Sequence, residues 1–141
     1  MQADLAEVGI TVNIKSSDIG PALQKYRDAK SGFGLWQWGP DFIDPIDRLA
    51  FTPGNKVGLR VNWTEDKASA GLNQAVARAK VATADADRSA AFTDIQNIML
   101  DESPFVFLVQ SGTQVGYNAN LKGFVFLGST AGRIDPYLMS K

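Results

Sequence analysis

Three aspartates, spaced three residues apart, are the first group in this sequence whose types could do chemistry. The run consists of Asp41, Asp44 and Asp47. On a helix this spacing would place all three carboxylates on one side, as metal ligands or as an acid and base pair. Pro45 lies within the run and restricts that geometry. The alternating ligands and glycine turn of a calcium loop are also missing, so the sequence predicts no metal site.

The residue types narrow the chemistry further, because the chain contains neither Cys nor His. Thiol nucleophiles, histidine general bases and zinc or copper sites built on these side chains are therefore excluded. A carboxylate-dependent hydrolase using Asp41 and Asp44 as acid and base remains an alternative, and it needs one pKa raised by burial. The sequence shows no pattern for an oxyanion hole and no cofactor-binding loop. We therefore predict a protein that is not an enzyme, with no catalytic residues and no cofactor.

A second group of side chains is suited to binding a ligand. Trp38 can present a flat apolar wall, and Trp36 points to the same side if the segment is a strand. Both rings could instead pack in the core. Arg60 can pair bidentately with a ligand carboxylate, the alternative being a solvated surface arginine. Asp41 either contacts the ligand or caps a turn after Pro40.

Length, composition and charge indicate a single folded domain and argue against some partners. With 141 residues, 45% of them hydrophobic and 21% charged, the chain is expected to fold as one soluble domain covering residues 1–141. Its 14 basic residues balance 15 acidic ones without clustering, which argues against nucleic acid or an anionic membrane as partner. Its longest apolar runs are far below the roughly 20 residues that span a bilayer. The opening residues show no signal-peptide pattern.

Hydrophobic spacing predicts an α/β domain in which a mixed sheet is flanked by helices. Helical spacing is seen at 3–8, 17–29, 65–81 and from Asp85 to Pro104, with a short turn at 46–50. Period-two or continuous apolar stretches predict strands at 10–15, 33–38, 105–109, 113–117 and 123–127. Between 39 and 63 a long irregular segment is expected, and such ordered loops often carry function.

Several of these stretches resemble the family 5 extracellular solute-binding proteins, which include dipeptide-, oligopeptide- and nickel-binding proteins. The segment 38–45, WGPDFIDP, is similar to that family's W-x-x-D-[YF]-x-[DE]-P. Upstream, 4–10 resembles its L-x-x-x-G-I passage from helix to strand. Downstream, the resemblance continues through 88–96, 101–104 and the region of Gly123. These matches occur in the family's order and span most of the chain.

The resemblance implies a fold and a function. It implies the C-terminal lobe of a two-lobed clamp of the type II periplasmic-binding-protein fold, with the ligand held between the lobes. The expected partners are a peptide or other small solute, the N-terminal lobe of the same protein and the permease subunits of an ABC importer. The location implied is periplasmic or extracytoplasmic. Asp41 occupies the motif position whose carboxylate pairs with the ligand's α-amino group in peptide-binding relatives.

Two further expectations follow. The chain alone is predicted to fold but to bind ligand weakly or not at all, because half of the cleft lies outside it. The alternative to a transport function is an interaction domain that forms a homodimer, which a contiguous exposed apolar patch would favour.

Overall fold

The computed structural model of the chain describes residues 1–128 and 134–141. Across these residues the regular structure is helical. The α-helices are α1 (Gln2–Glu7), α2 (Ile19–Arg27), α3 (Ala70–Val81) and α4 (Asp85–Glu102). Short 3-10 helices lie at Pro45–Phe51, Leu59–Val61, Glu65–Lys67 and Pro136–Leu138. Among the described helices, none has both the length and the apolar character needed to cross a membrane.

The predicted α/β fold with a mixed sheet is wrong. Within 1–128 and 134–141 there is no sheet, and strand pairing is limited to two isolated antiparallel bridges. These bridges join Lys122 to Ser140 and Phe126 to Ile134. The predicted strand at 123–127 therefore contributes one bridging residue, and the other four predicted strands have no regular secondary structure.

The error has a physical cause. Alternating apolar residues indicate a local backbone preference, whereas a sheet also needs a neighbouring strand to exchange ladder hydrogen bonds. The predicted strands also lack a buried face here, since the side chain of Ile14 is 71% exposed and that of Val109 is 87% exposed. The alternation of apolar residues therefore cannot show whether a neighbouring strand is present.

The helical predictions are confirmed, with shifts at their ends. Gly9 ends α1 in the left-handed region at φ 82°, and its N–H donates to the Ala6 carbonyl. The predicted helix at 65–81 is divided, because Ser69 caps α3 by accepting a hydrogen bond from the Leu72 N–H. The segment before it forms only the turn Glu65–Lys67. Asp85, predicted as a cap, is the first residue of α4 instead.

The core lies between α3 and α4, which form an antiparallel hairpin joined by residues 82–84. Gly71 lies near Ile98, and Arg78 forms an ion pair of 2.6 Å with Asp94, so α3 and α4 run side by side in opposite directions. The apolar stripe of each helix faces the other. The buried residues of this cluster are Leu49, Trp63, Leu72, Ala75, Val76, Ala79, Ala91, Phe92, Ile95 and Met99.

The segment between 52 and 63 is a compact loop held by its own backbone. The N–H groups of Val57 and Gly58 both donate to the Ala50 carbonyl, and the N–H of Gly54 donates to the Trp63 carbonyl. A Cβ at Gly58 would overlap the carbonyl oxygen of Thr52, so the close approach requires glycine. This loop fixes the position of the basic residues described next.

Candidate functional site

A helical turn within the compact loop presents two basic residues on one side. The turn is formed by hydrogen bonds from the Leu59 N–H to the Asn55 carbonyl and from the Arg60 N–H to the Val57 carbonyl. Lys56 and Arg60 are four residues apart, a spacing that makes them neighbours on a helical surface. The loop therefore directs two positive charges to the same region of the molecule.

The surface below these charges is aromatic. The rings of Tyr26 and Trp36 stack with centroids 4.4 Å apart and planes inclined by 20°. The ring of Trp38 meets that of Phe51 edge-on at 5.4 Å, with an interplanar angle of 80°. Tyr26 is buried in the last turn of α2, whereas both tryptophans are half-buried. Such rings combine a large apolar area with fixed geometry.

Arg60 links the two pairs of rings. Its guanidinium carbon lies 5.0 Å from the Tyr26 ring centroid and 5.5 Å from that of Trp38. The Lys56 ammonium lies 5.6 Å from the Trp38 centroid. These distances are in the range of cation–π attraction. We name these six residues the Trp38 cluster: Tyr26, Trp36, Trp38, Phe51, Lys56 and Arg60.

Three of the four predicted ligand-binding residues are brought together in the cluster. Trp36, Trp38 and Arg60 meet there, although Trp36 and Trp38 do so without the strand that was expected to orient them. The ring and cation contacts that define the cluster do not include Asp41. That residue lies on the exposed bend at 41–44, three residues after Trp38.

Asp44 anchors this bend to the helical hairpin. One carboxylate oxygen accepts a hydrogen bond of 2.8 Å from the Ile46 N–H, and the Arg88 guanidinium donates to both oxygens at 2.8 and 2.9 Å. The Ile46 hydrogen bond is the main cause that lowers the pKa of Asp44; partial desolvation opposes it, and Arg88 lowers the pKa further. A carboxylate thus caps the 3-10 helix Pro45–Phe51 and ties it to α4.

The aspartate run does not form a metal or catalytic site in the described residues. No group of three acidic side chains there is arranged to hold a metal ion. The lowered pKa of Asp44 is opposite to the raised pKa that a general acid requires. Asp47 is buried, and its Oδ2 atom has no hydrogen-bond partner among the described residues. The geometry gives the hydrolase alternative no support.

Sequence reasoning missed four residues of this region: Tyr26, Phe51, Lys56 and Arg88. Tyr26 fitted a helical apolar stripe and gave no sign of stacking on a tryptophan. The i, i+4 spacing of Lys56 with Arg60 was visible and could have identified the lysine. Arg88 is 44 residues from its partner Asp44, and no local pattern predicts such a pair.

The described site is thus a surface built from aromatic rings and two cations. No protein-family model matches the chain. The chain is similar to two curated bacterial proteins, each over 128 residues. One is the probable D,D-dipeptide-binding periplasmic protein DdpA of Escherichia coli strain K12, 27% identical over 89% of this chain. The other is the di/tripeptide-binding protein 2 of Pseudomonas aeruginosa strain UCBPP-PA14, 23% identical over 88% of this chain.

These similarities are weak and partial. The chain spans about a quarter of the length of these relatives, 24% of the first and 23% of the second. Both names describe peptide-binding proteins, as the predicted resemblance implied, and the first also states a periplasmic location. Both are binding proteins and not enzymes, so at this level the prediction of a non-enzymatic protein is confirmed.

Proposed function

We propose that this chain is part of the solute-binding component of an ABC importer and that it captures a peptide-like solute outside the cytoplasmic membrane. The observation that most supports this proposal is the similarity, over 89% of the chain, to a protein named for binding D,D-dipeptides in the periplasm. The Trp38 cluster supports the proposal, because rings and cations recognise small zwitterions without chemistry. The expected location is periplasmic or extracytoplasmic.

In this proposal each site residue has a role. Asp41, on the bend at 41–44, pairs with the α-amino group of the solute. Trp38 and Trp36 form apolar walls, and Arg60 pairs with an acidic group of the ligand. The remainder of such a protein, including an N-terminal lobe, completes the cleft, and the whole docks on permease subunits. The 24% coverage of the relative supports the view that residues 1–141 form one lobe of a larger protein.

The proposal is tested by titrating the chain with D-alanyl-D-alanine, L-alanyl-L-alanine and trialanine. The three tryptophans give three indole N–H signals in a ¹H–¹⁵N spectrum, so binding near Trp38 is read directly. We expect saturable shifts with a dissociation constant of about 1 mM, weak because only part of the ligand is buried. A dissociation constant below about 1 μM for the chain alone would contradict the proposal that residues outside it complete the cleft, and peptide-induced shifts of the Trp63 signal alone would contradict a site at Trp38.

A matched pair of variants tests the role of Asp41. Asp41→Asn removes the charge with little change of shape and should weaken peptide binding about fivefold, in the range of an exposed ion pair. Asp101→Asn, on the exposed last turn of α4, should leave binding unchanged. Equal effects of the two substitutions would remove Asp41 from the site.

A second candidate function is self-association. Val106, Phe107, Leu108 and Val109 are consecutive and exposed, and Phe33 and Leu35 are exposed as well. A hydrogen bond of 3.1 Å from Gln37 Nε2 to Ser111 Oγ joins the two parts of the chain that carry these residues. Apolar exposure of this kind marks interaction surfaces. Sedimentation velocity of the wild type and of Leu108→Ser tests it: a dimer that the substitution disperses supports this candidate, and a concentration-independent monomer excludes it.

A further inference from the structure

A long-range ion pair joins the bend at 41–44 to the helical hairpin. One terminal nitrogen of the Arg88 guanidinium lies 2.8 Å from Oδ1 and 2.9 Å from Oδ2 of Asp44. The Arg88 side chain is 25% exposed and that of Asp44 is 41% exposed, so water screens the pair only in part. A second ion pair, between Arg78 and Asp94, is more exposed and connects α3 to α4. The two arginines of the hairpin therefore hold different parts of the molecule.

Each member of the Asp44–Arg88 pair is also positioned by a neighbour in its own segment. The Arg88 guanidinium carbon lies 6.0 Å from the ring centroid of Phe92, which is one turn further along α4 and buried in the core. The Asp44 carboxylate accepts a hydrogen bond of 2.8 Å from the Ile46 N–H. Because both side chains are held before they meet, the pair fixes the position of the bend relative to α4.

The bend is short enough for this anchor to determine where Asp41 lies. Asp41 precedes Asp44 by three residues, which span at most about 10 Å of chain. The Asp44 N–H donates to the Phe42 carbonyl at 3.1 Å, so the stretch between them is folded back on itself. At its other end the segment is held by Trp38, whose ring meets that of Phe51. A displacement of Asp44 is therefore passed on to Asp41, and binding groups need to be held within about 0.5 Å.

We propose that Arg88 is a positioning residue for ligand recognition: through Asp44 it fixes the bend that carries Asp41, and it thereby sets how strongly Asp41 binds the α-amino group of a peptide. Arg88 acts through Asp44 and needs no contact with the ligand. The anchoring of the bend stands on the geometry alone, whereas the effect on the amino group rests on the role that the proposed function gives to Asp41.

The test compares L-alanyl-L-alanine with N-acetyl-L-alanyl-L-alanine, which lacks the ammonium group. Both are titrated into the 141-residue chain and followed in ¹H–¹⁵N spectra by the indole signal of Trp38, assigned with Trp38→Phe. The wild type should bind the free dipeptide about fivefold more tightly than the acetylated one. In Arg88→Gln this preference should disappear, because binding of the free dipeptide weakens about fivefold and binding of the acetylated one stays the same. A general loss of structure would weaken both.

Three further variants separate positioning from a general effect of charge. Arg88→Lys keeps a positive donor, and because one nitrogen makes both contacts with Asp44, it should restore part of the preference. Arg78→Gln removes the hairpin arginine that does not hold the bend and should leave the preference unchanged. In the double variant Asp41→Asn with Arg88→Gln, the free dipeptide should bind no more weakly than in either single variant, since both act on one interaction.

The outcomes distinguish this inference from the proposed function. A preference that persists in Arg88→Gln, or an equal loss in Arg78→Gln, would overturn the positioning role while peptide binding stands. Equal weakening of both dipeptides in Arg88→Gln would show that Arg88 only stabilises the fold. If the wild type does not distinguish the two dipeptides, the role given to Asp41 in the proposed function fails and the recognition role of Arg88 fails with it; a displaced Asp41 amide signal in Arg88→Gln would then show an anchor of the bend and nothing more.

Discussion

Apolar side chains have opposite surroundings in two regions of this molecule. In the α3–α4 hairpin they form one stripe on each helix and are buried between them. In the segments 33–35 and 105–109 large apolar side chains are mostly exposed, and the backbone forms no regular structure. The spacing of apolar residues predicts helices in the hairpin and strands in these segments, but only the hairpin forms the predicted structure.

The difference lies in where the hydrogen bonds are made. An α-helix satisfies its backbone groups within its own segment, so a periodic stripe and two end signals are sufficient to define it. A strand satisfies its backbone only with another strand. The α3–α4 hairpin also has its packing partner close in sequence, after residues 82–84. The following predictions test this contrast, beginning with the largest effect.

Leu72→Ala should have the largest effect on stability. Leu72 is fully buried between α3 and α4, so the substitution leaves a cavity and loses transfer free energy. We expect the free energy of unfolding to fall by about 2–5 kcal/mol, measured by urea denaturation followed by circular dichroism. Leu100→Ala, at a position on α4 that is 76% exposed, should cost less than about 0.5 kcal/mol. Similar losses in both variants would contradict a core placed between these helices.

Gly58→Ala tests the compact loop. The backbone of Gly58 at φ −56° suits alanine, so the only penalty is the overlap of the new Cβ with the Thr52 carbonyl. Thr52 is itself fully buried and its hydroxyl donates to the Leu49 carbonyl, so the obstacle cannot move freely. The expected cost is about 1–3 kcal/mol of unfolding free energy in the same assay.

The control for this substitution is Gly116→Ala, because a Cβ there meets nothing within 4 Å. It should leave the melting temperature almost unchanged. Gly58→Ala should in addition disturb the indole signal of Trp38, since the loop positions Arg60 over that ring. A stable Gly58→Ala protein with an unaltered Trp38 signal would show that the loop is looser than described.

A matched pair of valines compares the two regions directly. Val76 in α3 is 7% exposed and Val109 in the apolar segment is 87% exposed. Val76→Ala should reduce the free energy of unfolding by about 1–2 kcal/mol, because two methyl groups leave the core. Val109→Ala should change it by less than about 0.5 kcal/mol. Equal losses would mean that residues 105–109 are buried in solution, for example in the self-associated form.

The sequence was sufficient for the helices because their signals are local. Gly9 and Asp85 lie at or next to helix ends as predicted, and the error at Glu65 arose because the Ser69 cap was not recognised inside an apparently continuous pattern. The strands could not be predicted in the same way. Ile10, Val12 and Ile14 show clear alternation, but alternation does not reveal whether a partner strand is present.

The candidate site is predicted only in part, because residue types are visible in the sequence and tertiary contacts are not. Trp36, Trp38 and Arg60 were selected for their chemical types, and the cluster brings them together. Tyr26 was missed because its stacking on Trp36 is a tertiary contact between α2 and a segment without regular structure. The Asp44–Arg88 pair joins positions too distant in sequence for any spacing rule to connect.

The smallest expected effect concerns this pair, which connects the irregular first half of the chain to the hairpin. Asp44→Asn keeps an oxygen for the Ile46 N–H and removes the charge that Arg88 faces. We expect the melting temperature at neutral pH to fall by a few degrees. In the double variant with Arg88→Gln, the second substitution should add little, since the interaction is already lost.

The pH dependence distinguishes a charge effect from a change of shape. The folded state lowers the pKa of Asp44 below its ordinary value of 3.8, so folding favours the ionised form. This contribution is fully present above that ordinary value and is lost as the pH falls through the lower folded pKa. The difference between wild type and Asp44→Asn should therefore be constant near neutrality and shrink in acid. A difference that is the same at neutral and strongly acidic pH would show that the side chain acts through its shape, and the bend would then be held by the Ile46 hydrogen bond without help from the charge.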